Sequence, residues 1–170
     1  MCRYKNSATG LTSTISGGYI NLAAADYAGI GAGGYNRIWS ADYATIAGGR
    51  SNWVLSSSDF ASIAGGQYNT VQGANGVVSG GANNTVGSFS TVQGGSFNVA
   101  TTGDFLTIGG GHLNVVEGHG SGIGMGLNNS IVDFSHVATI NGGAQNTVSG
   151  NASTISGGAQ NGAQGNNVKI

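Results

Sequence analysis

The 170-residue chain contains no proline, a single cysteine, and only five Lys or Arg and six Asp or Glu residues. Each scarcity excludes something. A charged fraction of 6%, against about 25% in an ordinary globular domain, leaves three Arg and two Lys, too few for the basic stripe that holds nucleic acid. One cysteine, Cys2, permits neither an internal disulfide nor a Cys-based zinc site. No apolar run reaches the roughly 18 residues of a membrane helix, so no membrane insertion is expected. Asn6 to Thr14 has no apolar h-region, so no signal peptide is visible.

The residues present in excess are 34 Gly and 18 Asn. In a helix interior each Gly costs about 1 kcal/mol against Ala, which excludes an all-helical reading. Disorder is excluded from the other side. A hydrophobic content of 39% with a net charge of −1 is the opposite of the low-hydrophobicity, high-charge signature of unfolded chains.

An internal repeat organises nearly everything. Its anchor is an Ile or Val, at Ile15, Ile30, Ile46, Ile63, Val78, Val92, Ile108, Ile123, Ile140 and Ile155. Three residues after each anchor stands Gly, from Gly18 and Gly33 through to Gly158. Six residues after it stands Asn: Asn21, Asn36, Asn52, Asn69, Asn84, Asn98, Asn114, Asn129, Asn146 and Asn161. Eight after it is a second apolar column, such as Ile38, Val54 and Val71. Anchor spacings run from 14 to 17, with a mean of about 15.6.

A unit this short cannot hold a helix pair, but it holds two short strands and two turns, one coil of a β-solenoid. Around an anchor, Ala44 and Ile46 point one way and Thr45 and Ala47 the other. The position two before the anchor is mostly small, with Leu106 the exception, so the core is narrow. Coils about 4.8 Å apart make a body about 45 Å long. The Gly column suits a tight turn with positive φ. The Asn column suits the left-handed region and a ladder of amides bonded to the coils above and below. The expected organisation is a lead-in over 1–10, one repeat domain over 11–165 and a tail over 166–170.

Runs such as Tyr43-Ala-Thr-Ile-Ala-Gly-Gly-Arg-Ser-Asn52 and Phe60-Ala-Ser-Ile-Ala-Gly-Gly-Gln-Tyr-Asn-Thr-Val-Gln-Gly73 resemble the head repeats of YadA-like trimeric autotransporter adhesins, and related repeats of tail-fibre-like proteins. The resemblance implies a left-handed parallel β-roll assembled as a homotrimer and used for attachment. The period here is longer than the family's usual 14, and no coiled-coil stalk or membrane anchor is seen. Hexapeptide acyltransferases, also left-handed solenoids, repeat every six residues, which an Ile-to-Val step of eight does not match.

Chemistry-bearing residues fall into the same columns. Asp26, Asp42, Asp59 and Asp104 lie four before their anchors, each followed by an aromatic: Tyr27, Tyr43, Phe60 and Phe105. A file of carboxylates is one way to gather Ca²⁺, but Asp also opens turns, with the aromatic covering a coil edge or a subunit interface. Turn chemistry is the expected reading, and no metal or cofactor is expected. His119 and His136 share that column and His112 does not, so a third zinc ligand is missing and solvated histidines are expected. No Ser sits in a distinctive elbow and no Gly-rich run opens a helix, so no catalytic residue is expected.

Tyr19, Tyr35, Trp39, Trp53, Tyr68 and Phe97 cluster in the first six coils. Aromatics beside Asn and Gln suit sugar stacking, and they equally suit a trimer interface. The receptor-binding residues expected are Tyr35, Trp39, Trp53 and Tyr68. A Thr file one before the anchor (Thr14, Thr45, Thr91, Thr107, Thr139, Thr154, with Ser62) suggests an ice-binding face, although Gly29, Val77 and Gly122 interrupt it. The expectation is a non-enzymatic adhesin or fibre tip, extracellular or on a virion, binding a cell-surface glycan or protein receptor. The alternatives are a stacked filament and an ice-binding solenoid.

Overall fold

A computed structural model describes residues 5–170; Cys2 lies outside them. Among the described residues there is no helix, only twenty-one strands of two or three residues. They form two wholly parallel sheets of eleven and ten strands, in which each strand pairs with its counterparts in the coils before and after. The chain is a β-solenoid of about ten turns. Each turn places the anchor, with the residue before it, in one sheet and the Val, Ile or Ala eight residues later in the other, as in the pairs Ile46↔Ile63 and Val54↔Val71.

The core is the space between the sheets, lined by anchors and anchor+8 residues. Ile46, Val54, Ile63, Val71 and Val78 are completely buried. The alternation expected around the anchor is present, since Ala44 and Ile46 are buried while Thr45 and Ala47 are exposed. Small residues two before the anchor let the sheets close. At Ser90 and Ser121 the hydroxyl accepts from the next coil: Ser90 Oγ accepts Leu106 N–H at 3.1 Å, and Ser121 Oγ accepts Ala138 N–H at 2.9 Å. A further small column stands five before the anchor, at Ala25, Ala41, Ser58, Gly73, Gly87, Gly118, Ser135 and Gly150, all buried.

That column locates the irregular period. From five before the anchor to eight after it every coil has 14 residues, and the variation lies in the link between coils. Val86 joins Gly87 directly, whereas Leu55, Ser56 and Ser57 intervene between Val54 and Ser58. The pairing register never changes, so extra residues bulge at one corner. Ser57 and Phe134, both inserted there, take φ of 63° and 64°.

All ten glycines at anchor+3 have positive φ, from 81° at Gly95 to 134° at Gly126. The left-handed non-glycine residue is the one before each ladder Asn (Tyr35, Ser51, Tyr68 and their equivalents), and not the Asn itself as its residue type suggested. The Asn is held instead by its amide. Asn69 Oδ1 accepts the backbone N–H of Asn84 at 3.1 Å, while its NH₂ donates to Gly65 O at 3.1 Å and Gly81 O at 3.0 Å. Most of the remaining ladder residues repeat the pattern, and Asn6 begins it by accepting Asn21 N–H at 3.0 Å.

The stack also reaches past 11–165. Ser7–Ala8 pairs with the first full coil, and Lys169 bridges to Thr154.

Candidate binding surface

Repetition supplies its own controls here. In the outward files of both sheets Thr, Ser, Gly or Ala fills several coils, so a large side chain in another coil answers no demand of the scaffold. The largest departure is on the eleven-stranded sheet, in the strands Arg37–Trp39 and Trp53–Val54. Ile38 and Val54 point into the core, which turns Arg37, Trp39 and Trp53 outward. Arg37 pairs across the sheet with Trp53, whose register equivalents in the next two coils are Thr70 and Thr85. The two indoles lie 5.9 Å apart and tilted, and the Arg37 guanidinium sits 5.7 Å from the Trp39 ring, within cation–π range.

Tyr35 and Tyr68 are elsewhere, on the edge formed by the residues preceding the ladder Asn. Tyr35 packs edge-on to Tyr19 at 5.0 Å, with their hydroxyls 2.8 Å apart. That hydrogen bond holds the proton on Tyr35 and, with partial desolvation, pushes its hydroxyl above the ordinary range, while Arg50 pulls it back. The four expected receptor residues therefore divide into a Trp pair on the sheet face and Tyr residues along the adjoining edge. Two residues of this region escaped the sequence reading, Arg37 and Arg50. The available signal was alternation: Arg37 is two before Trp39 and so shares its face.

The opposite edge carries the aromatics three before the anchor. Tyr27, Tyr43, Phe60, Phe89 and Phe105 all hold φ between 49° and 61°, a conformation that costs a bulky residue about 1–2 kcal/mol. Stacking along the solenoid opposes that cost. Tyr27 and Tyr43 are parallel at 4.7 Å and Tyr43 and Phe60 at 5.1 Å, while Phe89 and Phe105 stack at 5.5 Å with their planes inclined by 28°. The ring separation matches the spacing of neighbouring strands. These rings stay about half exposed, 51% for Tyr43 and 59% for Phe60.

Next to them the Asp file forms a second ladder. Asp42 Oδ1 accepts Asp26 N–H at 3.0 Å and Asp59 Oδ1 accepts Asp42 N–H at 2.9 Å. The carboxylates act between coils more than within a turn. His119 continues the series: its Nδ1 accepts Asp104 N–H at 3.0 Å, so this imidazole is a ladder member and not simply a solvated side chain. The His136 ring lies 5.3 Å away, with its Nδ1 buried and unpartnered. Among the described residues no three His, Cys, Asp or Glu side chains gather as a metal site requires. His112 is on the other edge, with Ser96 Oγ 2.8 Å from its Nδ1 and, among the described residues, no carboxylate bonded to it to complete a triad.

The Thr file runs up the outer face of the ten-stranded sheet in register, Thr91↔Thr107 and Thr139↔Thr154. Gly122 breaks it, and Thr107, Gly109, Gly124, Thr139 and Asn141 line a shallow depression there. No known protein-family model matches this chain, and no curated protein is similar to it in sequence.

Proposed function

We propose that the chain is a non-enzymatic attachment module, the head or tip of a trimeric fibre at an extracellular or virion surface, and that its receptor is a glycan. One observation carries this reading: the outward Trp39–Trp53 pair, on a face where no other coil carries an aromatic. Solvent-facing indoles add nothing to a core already filled by Ile38 and Val54. They offer flat apolar surfaces on which a sugar ring stacks, with Gln72 and Thr70 nearby for hydroxyl groups.

Assembly follows from the thin core. Each coil buries one anchor, one anchor+8 residue and small side chains, while the half-exposed rings of Tyr43, Phe60, Phe89 and Phe105 remain on an edge. In a homotrimer of left-handed rolls that edge faces the neighbouring chains, and three copies of a weak sugar site act together through effective concentration.

A glycan array probed with the full chain tests the reading. Binding to a defined set of glycans, lost in Trp53→Ala without loss of the fold, is the expected result. No glycan or cell-surface binding, together with end-to-end polymerisation, favours the filament. Thermal hysteresis assigns the Thr face to ice instead.

A further inference from the structure

We infer that the Trp39–Trp53 face recognises an acidic sugar, one carrying a single carboxylate, and that Arg37 takes the carboxylate with Arg50 flanking it. This rests on the glycan-attachment reading and specifies its ligand class.

The few charges are unevenly placed. Asp26, Asp42, Asp59 and Asp104 occupy a single file at one edge of the solenoid, and the first three give a carboxylate oxygen to the backbone of the coil before. The described arginines are both away from that file. Arg37 stands at anchor+7 and Arg50 at anchor+4 of the next coil, where Gly34↔Arg50 and Arg37↔Trp53 are paired positions. Among the described residues neither guanidinium forms an ion pair.

The scaffold does not call for these cations. The positions equivalent to Arg37 hold Leu22, Trp53, Thr70 and Thr85, and those equivalent to Arg50 include Gly34, Gln67 and Ala82. A neutral sugar needs indoles and amides but no guanidinium. Arg37 lies over one indole and faces a second across the sheet. Stacking uses the face of the guanidinium and leaves its N–H edge for a ligand, and that planar fork matches a carboxylate. A pyranose ring on an indole, with its carboxylate on Arg37, uses every group the coil supplies. One cation against the indoles, Arg37, with Arg50 on the adjoining edge, suits one carboxylate per site. A polyanion is held by a long run of them.

The test uses the full chain and methyl glycosides of glucuronic acid and N-acetylneuraminic acid, each alongside its methyl ester. Titration is followed by Trp fluorescence and by NMR. The expected result is that at least one acid binds about tenfold or more tightly than its ester. Arg37→Gln then weakens the acid by about tenfold to a hundredfold, leaves the ester unchanged, and Arg37→Lys restores only part of the loss. Arg50→Gln gives a smaller loss, and added salt weakens the acid alone. Equal binding of acid and ester, or no effect of Arg37→Gln, overturns the inference while the glycan reading stands. Failure of these probes and of the glycan array overturns both. Melting curves of the variants show whether the fold is intact, and Arg37 and Arg50, both outside the core, are expected to leave it so.

Discussion

Asn69 and Gly66 show how single residues hold a solenoid whose strands are only two or three residues long. Asn69 is completely buried, and its side chain satisfies the N–H of Asn84 and the carbonyls of Gly65 and Gly81. Asn69→Leu strands the Asn84 N–H and the Gly65 carbonyl, while the Gly81 carbonyl keeps the Gln67 N–H, and an unsatisfied buried polar group costs about 1–3 kcal/mol. A destabilisation of about 3 kcal/mol or more is expected in urea unfolding, against about 0.5 kcal/mol or less for Gln67→Ala on the exposed bridge file. The glycine pair makes a sharper comparison. Gly66 has φ of 88°, and a Cβ there runs into the carbonyl of Gly81 and the Asn69 amide, whereas a Cβ on Gly65 meets nothing within 4 Å. Gly66→Ala therefore lowers the unfolding midpoint substantially, while Gly65→Ala leaves it unchanged or raises stability by about 0.4–1 kcal/mol through the unfolded chain. Equal effects of the two substitutions contradict the turn geometry.

At the scale of the coil, the decisive feature is that length varies at one corner only. The 14 residues from five before the anchor to eight after it form both strands, the Gly turn and the ladder Asn. Because strand side chains alternate, removing one residue inside that block exchanges core and solvent faces for everything after it until the next corner. The link between coils is free of this constraint. Deleting Ser56, one of three linking residues in its coil, is expected to keep a cooperative transition, with a shift of about 1 kcal/mol or less. Deleting Gln67, inside the block, removes cooperativity or abolishes folding. Circular dichroism during thermal melting distinguishes the two outcomes.

For the whole molecule, the file of αL aromatics poses the question of assembly. Asn75 occupies the same column as Tyr43 and Phe60 at φ of 58°, so Asn fits there. The double variant Tyr43→Asn/Phe60→Asn is thus expected to keep the β-sheet spectrum while weakening association. Light scattering at micromolar concentration should show trimer for the native chain and smaller species for the variant. A native chain that is already monomeric removes the trimer and strengthens the ice-binding alternative. Association that the variant does not alter moves the interface to another face.

Period, strand direction and core were legible from residue order, because every coil repeats the same demand: Ile or Val inward, Gly where φ is positive, Asn where a buried amide links three coils. The columns at anchor, anchor+3, anchor+6 and anchor+8 each met the structural role expected, except that the left-handed residue precedes the Asn. That position tolerates Tyr, Ser, Gln or Leu, so residue type could not mark it; the backbone trace did. Nor could order alone reveal that Asp42 and His119 do the same job, each accepting the backbone N–H of the coil before, since their partners lie about a coil away and the bond depends on side-chain direction. The same holds for the candidate surface. Tyr35, Trp39, Trp53 and Tyr68 form one aromatic group in the sequence, but coil geometry sends the Trp pair to a sheet face beside Arg37 and the Tyr residues to the adjoining edge. Repetition determines the scaffold because each coil templates the next; which outward side chains meet is decided only when the coils are stacked and the corner links have set where each file begins.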